Sequence, residues 1–327
     1  MKIYAYEVRE DEQEYLEKIA KKLKVEIMYT TDTLNMETID NASAYDGITT
    51  LGQSKISDQV LDELKKRNIL YCATRTIGYN HIDINHAKEI GIKVCNANYD
   101  PNGVADYTVM LILMSIRRYK QALWRGQVND YSLIGLQGKE MRNLTIGIIG
   151  TGRIGNAVIK NLTGFGCRIL AYDAFQNDKT KEYAQYVGLD ILYKESDVIS
   201  IHTPLLDSTY HMINTDTLGK MKDGVVLINC ARGELMDNKA LIYGIESKKI
   251  GALALDVVER EEGIYHHDRR VDIIKNQEMA YLRQFPNVIM TQHMAFYTDA
   301  AVKSMVECAV IGLNDLFVKG TCNTEIK

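Results

Sequence analysis

Short runs of apolar residues alternate with amphipathic stretches along nearly the whole chain. In the first hundred residues, two stretches, 11–24 and 58–67, carry apolar residues at helical spacing, whereas the apolar runs around them have the length of strands. Strands and helices that alternate in this way are typical of an α/β protein with parallel sheets. The strands predicted for this region are 2–6, 25–29, 47–50, 70–73 and 93–96.

A second series of the same kind begins at Leu144, after a helix predicted from Asn102 to Ile116 and a polar stretch. Its strand runs consist almost wholly of Val, Ile, Leu and Ala, which suits sheets covered on both faces. The last helical segment, 298–318, lies beyond this series, so we expect it to return to the first unit. The strands predicted here are 144–149, 167–172, 198–202, 225–229, 251–256 and 288–291.

Length and composition restrict the class of protein. A chain of 327 residues is long for one core and suits two domains. Its net charge of −4, with interspersed charges, offers no basic surface for nucleic acid or an anionic membrane. The N-terminus is charged too early for a signal peptide, and no apolar stretch reaches the roughly 18 residues of a membrane span. The six cysteines lack the spacing of a metal site or a disulfide framework. We therefore expect a cytoplasmic protein with a small-molecule partner and no metal.

A glycine-rich turn, residues 150–155 with the sequence Gly-Thr-Gly-Arg-Ile-Gly, joins the first strand of the second series to a helix. Gly150 allows a tight turn, Gly152 has no Cβ to block a pyrophosphate, and Gly155 lets helix and strand approach closely. The N–H groups at the helix start, around Arg153 and Ile154, then face the phosphates. This segment predicts a dinucleotide-binding loop.

The next apolar run, 167–172, is followed by Asp173. Its carboxylate is therefore expected at the carboxyl end of that strand, within reach of both hydroxyls of an adenosine ribose. A 2′-phosphate would be repelled there, which favours NAD over NADP. The alternative, an ordinary strand-to-helix turn with a solvated Asp173, has no better support in the local sequence.

Three residues that can perform chemistry follow apolar strands of the second series: Arg232, Glu261 and His293. The carboxyl ends of strands line the ligand crevice of a doubly wound sheet, so the three side chains can converge. Arg232 can hold a substrate carboxylate at two points, and His293 is suited to proton transfer near neutral pH. Glu261, if bonded to His293, would favour the imidazolium and fix its orientation.

Each of the three residues has a plainer interpretation when it is considered alone. An arginine beside Gly233 often begins a helix at the surface, and Glu261 belongs to the acidic run 259–262, which suits a solvated face. The prediction of a catalytic site rests on the convergence of all three residues at strand ends. The remaining histidines are interpreted as structural or solvated: His81, His86, His202, His211, His266 and His267.

Four segments together resemble the D-isomer-specific 2-hydroxyacid dehydrogenases, in particular the branch of the D-lactate and D-2-hydroxyisocaproate enzymes. They are the glycine loop 150–155, the turn 229–233, the segment 255–261 and the segment 292–297. The intervals of 29 residues from Arg232 to Glu261 and 32 residues from Glu261 to His293 fit this branch, and the resemblance covers the whole chain.

The resemblance implies an α/β fold of two doubly wound parallel-sheet domains. A central Rossmann domain for NAD, residues 101–297, would be inserted in a flavodoxin-like substrate domain formed by residues 1–100 and 298–327. It also implies a homodimer through the nucleotide domains.

The resemblance also assigns roles to individual residues. Arg232 would bind the substrate carboxylate, with His293 as acid and base and Glu261 as its partner. The N–H groups of Ile77 and Gly78 would bind the same carboxylate. Tyr99 and Phe296 would line the substrate pocket, to which Arg9 would contribute on closure, and the residues implied around the cofactor are Thr203, Pro204, Thr209, Cys230, Ala231 and Asp256.

Leu51 bears on the choice of substrate. The D-lactate enzymes of this family tend to carry an aromatic residue at the matching position, whereas a leucine resembles the hydroxyisocaproate enzymes. A shorter aliphatic group leaves room for a branched substrate side chain, which favours 2-ketoisocaproate over pyruvate. The plainer interpretation is that Leu51 only fills the core.

The expected reaction is reversible reduction of a 2-keto acid by NADH, with a proton from His293 and an (R)-2-hydroxy acid as product. D-lactate dehydrogenase is the alternative within the same branch. A phosphoglycerate- or formate-type dehydrogenase is a second alternative among enzymes. A non-catalytic NAD-sensing protein is the alternative from another class, and the intact set of Arg232, Glu261 and His293 counts against it.

Overall fold

The computed structural model describes all 327 residues and contains two parallel β-sheets, one of five strands and one of seven. Every pair of neighbouring strands is parallel, which confirms the predicted α/β class. The strands are β1 (Lys2–Ala5), β2 (Glu26–Tyr29), β3 (Gly47–Thr50), β4 (Tyr71–Thr74), β5 (Lys93–Cys95), β6 (Thr145–Ile149), β7 (Arg168–Tyr172), β8 (Gln185–Tyr186), β9 (Val198–Ile201), β10 (Val225–Asn229), β11 (Ile250–Leu255) and β12 (Val288–Met290).

Helices connect these strands, and polar caps determine where several of them begin. Asp83 and Thr298, for example, each accept a hydrogen bond from a backbone N–H of the first helical turn. No helix is both long and apolar enough to cross a membrane. The helices are α1 (Glu10–Leu23), α2 (Asp58–Lys66), α3 (Ile84–Ile90), α4 (Asn102–Ile116), α5 (Tyr119–Gly126), α6 (Arg153–Leu162), α7 (Asp178–Lys181), α8 (Leu189–Glu195), α9 (Thr215–Gly219), α10 (Asn238–Glu246), α11 (Gln277–Leu282) and α12 (Asp299–Lys319).

The contacts divide the chain into two compact units. One contains residues 1–100 and 297–327, and the other contains residues 101–296. The second boundary differs by one residue from the sequence-based division, because Tyr297 belongs to the unit that also contains α12.

The first unit is built around the five-stranded sheet, with the order β2-β1-β3-β4-β5. Because successive side chains of a strand point to opposite faces, Ile3 and Ala5 join a core with α1 and α12, whereas Tyr4 and Tyr6 join a second core with α2. Both faces of the sheet are therefore covered. The C-terminal helix α12 packs against α1 and completes the first of these cores.

The second unit has the strand order β12-β11-β10-β9-β6-β7-β8. The chain starts in the middle at β6, adds β7 and β8 on one side, and then adds β9 to β12 on the other. The direction of winding therefore reverses between β6 and β9. In open α/β sheets, ligands bind outside the carboxyl ends of the strands at such a reversal, and the loop 150–155 follows β6 at this point.

Candidate active site

The catalytic candidates of the second unit follow three neighbouring strands. Arg232 follows β10, Glu261 follows β11 and His293 follows β12. Parallel strands present their carboxyl ends at one edge of the sheet, so three distant parts of the sequence meet there.

His293 and Glu261 form a short polar contact at this edge. The Nδ1 atom of His293 lies 2.5 Å from Oε1 of Glu261, and the second carboxylate oxygen accepts a hydrogen bond of 2.9 Å from the backbone N–H of Val258. An ionised carboxylate can only accept, so Nδ1 carries a proton and the ring is fixed with Nε2 on the opposite side. Both side chains are partly exposed, at 31% and 19%, which leaves Nε2 accessible to a substrate.

Asp256 holds the segment that carries His293. Its carboxylate accepts hydrogen bonds from the hydroxyl of Thr291 and the backbone N–H groups of Met294 and Ala295, and its carbonyl accepts from the N–H of His293 at 2.7 Å. His293 has a φ of +52°, a left-handed conformation that a non-glycine residue keeps only when its surroundings enforce it. The fully buried Asp256 provides this enforcement and thereby aims the imidazole.

Arg232 lies on a tight turn shaped by Asn229. The Asn229 side chain accepts from the N–H of Ala231 and donates to the carbonyl of Arg232. Gly233 makes the turn possible next to β11, because a Cβ there would lie 2.2 Å from the carbonyl carbon of Val258, only three residues before Glu261. One guanidinium N–H of Arg232 donates to the carbonyl of Ala231, and the group has no carboxylate partner in the protein. A partly buried guanidinium without an acidic partner is suited to bind an anionic ligand.

Two further rings lie beside His293. One belongs to His266, which the sequence did not single out as functional, and the other to Phe296, which the family resemblance places in the substrate pocket. The ring of His266 is 6.1 Å from that of His293, and its Nε2 atom is 3.2 Å from the His293 carbonyl oxygen. Phe296 lies 6.3 Å from His293 and 6.4 Å from His266. His266 is exposed, which is compatible with its interpretation as structural or solvated, and its imidazole adjoins the proposed proton-transfer group. In the sequence, only the position of His266 five residues after Glu261 indicated that it could lie near the site.

Tyr265 adds a buried hydroxyl near the carboxylates of Glu261 and Asp256. Its Oη atom has no hydrogen-bond partner in the protein. Burial, followed by the charges of Glu261 and Asp256, raises the pKa of the Tyr265 phenol above its ordinary value. The phenol therefore stays protonated and neutral.

The glycine loop has the shape that a dinucleotide requires. Gly150 has a φ of +93°, and a Cβ on Gly155 would lie 1.9 Å from the Gly150 carbonyl oxygen, so neither position accepts a side chain. At Gly152, in contrast, a Cβ would extend into open space at the start of α6, where no side chain caps the first turn. A pyrophosphate can approach this uncapped helix start closely, which fits the first turn residues Arg153 and Ile154 as backbone donors to its oxygens.

Asp173 lies directly after β7, as expected, and its carboxylate contacts the glycine loop. One oxygen accepts from the N–H and the hydroxyl of Thr151, at 2.6 Å and 3.1 Å, and the other accepts from the N–H of Phe175. These bonds fix a negative charge next to the start of α6. Asp173 follows β7, the strand next to β6, and the carboxyl end of this strand is where an adenosine ribose would be bound.

The remaining cofactor candidates line the ends of β9 and β10. The Thr209 hydroxyl donates to the carbonyl of Pro204 and accepts from the N–H of Leu206, so it closes the loop that begins with Thr203. Burial lowers the pKa of His202, just after β9, to about 4, and the imidazole is neutral near the phosphate loop. Cys230 and Ala231 lie in the Arg232 turn, where burial raises the pKa of the Cys230 thiol and keeps it uncharged.

The first unit contains the other predicted substrate residues at the carboxyl ends of β3, β4 and β5. Leu51 follows β3 and is 7% exposed. Ile77 and Gly78 follow β4, and their carbonyls accept from the side chains of Asn96 and Thr76, respectively. Tyr99 follows β5.

Arg9 lies at the start of α1. Its Nε atom donates to Asp11 at 3.0 Å, and its guanidinium lies 5.0 Å from the centre of the Tyr297 ring. The structure therefore gives Arg9 partners within its own unit. Its predicted contribution to substrate binding stays a prediction.

A protein that places a dinucleotide loop and a carboxylate-bound imidazole at one edge of a sheet can deliver a hydride and a proton to the same substrate. This chemistry defines the nicotinamide-dependent dehydrogenases. Comparison with known proteins narrows the class.

Residues 109–295 match the family model described as D-isomer specific 2-hydroxyacid dehydrogenase, NAD binding domain. The chain is 45% identical to aromatic 2-oxoacid reductase of Clostridium sporogenes over 99% of each chain, and 35% identical to D-lactate dehydrogenase of Escherichia coli over 100% of each. It matches the structure of a D-2-hydroxyisocaproate dehydrogenase with a TM-score of 0.90 and 32% identity, covering 100% of this chain and 99% of that one. The chain belongs to the D-isomer-specific 2-hydroxyacid dehydrogenase family. It is an NAD-dependent oxidoreductase, as the glycine loop and Asp173 predict.

Replacement of Asp173 by alanine is expected to reduce the preference for NADH over NADPH about tenfold, because a charged hydrogen-bond partner of this kind contributes about 1.5–3 kcal/mol. The ratio of kcat/KM for the two cofactors, at fixed keto acid, measures the effect. Asp178→Ala removes an exposed carboxylate of the same segment and should leave the ratio unchanged. A ratio that stays at its original value in Asp173→Ala would show that this carboxylate does not discriminate between the riboses.

Proposed function

We propose that this protein reduces 2-keto acids with large apolar side chains to (R)-2-hydroxy acids, with 2-ketoisocaproate as the favoured substrate. The observation that carries the proposal is the pairing of His293 with Glu261 at the same sheet edge as Arg232, whose guanidinium has no acidic partner. His293 supplies a proton and Arg232 binds a carboxylate, and keto-acid reduction requires both functions.

The protein's own contribution is to orient the substrate and to move one proton. When bound, NADH supplies the hydride for C2 of the keto acid. Arg232 binds the carboxylate through two parallel N–H donors and thereby fixes the direction of the neighbouring carbonyl. Protonated His293 delivers the Nε2 proton to the carbonyl oxygen, and the ring then remains neutral with its Nδ1–H on Glu261. The reverse reaction uses neutral His293 as the base.

The first unit contributes the rest of the proposed substrate site. The carbonyls of Ile77 and Gly78 accept hydrogen bonds from side chains of their own unit, which hold this turn in place, and the N–H groups of the two residues are the proposed donors to the substrate carboxylate. Tyr99 of this unit and Phe296 of the second unit supply aromatic surface for the substrate side chain, and Arg9 adds positive charge. These roles follow the family resemblance.

Leu51 supports a large apolar substrate side chain. It follows β3 directly, and its aliphatic side chain occupies a position at which an aromatic ring would take up more volume. Phenylpyruvate is a second candidate, because the relative that is 45% identical over 99% of the chain is named an aromatic 2-oxoacid reductase. The alternative of D-lactate production from pyruvate is less compatible with Leu51.

Replacement of Leu51 by tyrosine is expected to lower the ratio of kcat/KM for 2-ketoisocaproate to that for pyruvate about tenfold, because lost space in an apolar pocket changes discrimination by about 1–3 kcal/mol. Steady-state NADH oxidation with each acid measures the ratio. Met36→Tyr, at an exposed position of the same unit, is the matched control. If the unmodified protein prefers pyruvate by a wide margin, the proposed substrate is wrong.

The homodimer predicted from the resemblance stays a proposal, as does the cytoplasmic location. Large apolar side chains are exposed on α5 and the segment after it, which is unusual for a surface that faces only water. This surface is where we propose that two copies meet. Its most exposed members are Leu123, Trp124, Val128, Tyr131, Leu133 and Ile134.

A further inference from the structure

Glu7 is a buried carboxylate that the reaction described above does not use. It lies two residues after β1 and is 5% exposed. One oxygen accepts hydrogen bonds from the backbone N–H groups of Leu51 and Gln53, at 2.6 Å and 3.1 Å, and the other accepts from the hydroxyl of Ser54. One side chain thus binds nearly every residue of the loop 51–54.

Hydrogen bonds also hold the backbone of Glu7. Its φ of +59° is left-handed, a conformation that costs free energy in a residue with a Cβ. Its N–H donates to Asp32, and its carbonyl accepts at 3.0 Å from the guanidinium of Arg75, which is fully buried and paired with Glu12. Surroundings that enforce such a conformation direct the Glu7 carboxylate at the loop and at nothing else.

The loop 51–54 in turn lies against the segment that follows β4. Gly52 has a φ of +100°, and a Cβ there would lie 3.3 Å from the Thr76 methyl carbon. The hydroxyl of Thr76 donates to the carbonyl of Gly78 at 2.6 Å. The loop that Glu7 holds therefore adjoins the segment that carries Ile77 and Gly78.

We propose that Glu7 is a positioning residue for substrate selection: its carboxylate holds the 51–54 loop so that Leu51 is presented to the side chain of the keto acid. This inference rests on the proposed function, which assigns Leu51 to that side chain. A carboxylate is required because all three partners are donors, and an ionised carboxylate is the only side chain of this length that offers acceptors alone.

The test compares Glu7→Gln with the unmodified protein. The amide places an N–H group opposite a donor, so the loop loses at least one charged hydrogen bond, and the KM for 2-ketoisocaproate should rise about tenfold. The kcat and the dissociation constant of NADH should stay within about twofold, because Glu7 touches neither reacting group, and the preference for 2-ketoisocaproate over pyruvate should fall. Glu14→Gln, an exposed carboxylate on α1, is the matched control and should change none of these values.

Two further variants keep the inference testable if Glu7→Gln folds poorly. Glu7→Gly suits the left-handed backbone and removes the whole side chain with its carboxylate, so it should reproduce the rise in KM. Ser54→Ala removes one of the three bonds and should raise KM by less than Glu7→Gln does, about threefold, because the two bonds from the backbone N–H groups remain.

The inference is overturned if KM and the ratio of the two acids stay unchanged in these variants. It is equally overturned if kcat, the affinity for NADH and the melting temperature all fall while KM rises, because Glu7 would then be only structural. A preference of the unmodified protein for pyruvate would refute the proposed function alone. The inference about Glu7 would in that case still be decided by whether its variants change the KM for the keto acid that is preferred.

Discussion

Replacement of His293 by alanine is expected to lower kcat for keto-acid reduction about a thousandfold, because a positioned acid typically contributes a factor of about 100 to 10,000. The dissociation constant of NADH should change by no more than about twofold, since the imidazole acts on the keto acid. Stopped-flow or steady-state NADH oxidation measures the first quantity, and fluorescence titration with NADH measures the second.

His267→Ala is the matched control for this variant, because it removes an exposed imidazole from the loop that follows Glu261. Its turnover should stay close to that of the unmodified protein. If His293→Ala loses turnover and NADH binding to the same extent, His293 supports the fold of the site and does not transfer the proton.

The second large effect is expected at Arg232. Lysine keeps the positive charge but loses the planar pair of donors, so Arg232→Lys should raise the KM for 2-ketoisocaproate about a hundredfold, equivalent to about 2.7 kcal/mol of binding. The kcat should fall as well, because a carboxylate held at one point leaves the carbonyl less well oriented. Initial rates over a range of keto-acid concentrations at saturating NADH measure both constants.

Arg270→Lys provides the comparison for Arg232→Lys, since Arg270 is an exposed arginine paired with Asp268. Neither kinetic constant should change in that variant. An unaltered KM in Arg232→Lys would mean that the carboxylate of the substrate binds elsewhere.

The sequence was sufficient for the parts of the site that depend on local pattern. Gly150, Gly152 and Gly155 perform distinct steric tasks at fixed spacing, and such tasks can be inferred from a short segment. Arg232 and His293 could be placed at one edge of the sheet because strands of a parallel sheet all end on the same side. The structure shows β10, β11 and β12 as neighbours and thereby brings the ends of these strands together.

Contacts that depend on tertiary packing could not be predicted in this way. Asp256 was expected to lie by the cofactor, and the sequence contained no indication that its carboxylate would bind the Thr291 hydroxyl and two backbone N–H groups. Glu7 lies in an ordinary stretch of the N-terminus, 44 residues before its partner Leu51. Only the side-by-side arrangement of β1 and β3 brings the two together.

Short or irregular elements were missed for a related reason. The helix α5 has only eight residues, too few for its apolar spacing to stand out, and the left-handed Arg118 separates it from α4. The strand β8 has two residues and forms only by pairing with β7. Both elements are defined by neighbouring structure more than by their own sequence.

The most direct test of the account is NADH oxidation by the purified protein with 2-ketoisocaproate, phenylpyruvate, 2-ketobutyrate and pyruvate, with chiral analysis of the products. We predict turnover that consumes one NADH per keto acid, the (R)-2-hydroxy acid as product, and a higher kcat/KM for 2-ketoisocaproate than for pyruvate. Tight binding of NADH without oxidation by any of these acids would contradict the account, because the Arg232, Glu261 and His293 site would then not serve hydride transfer to a keto acid.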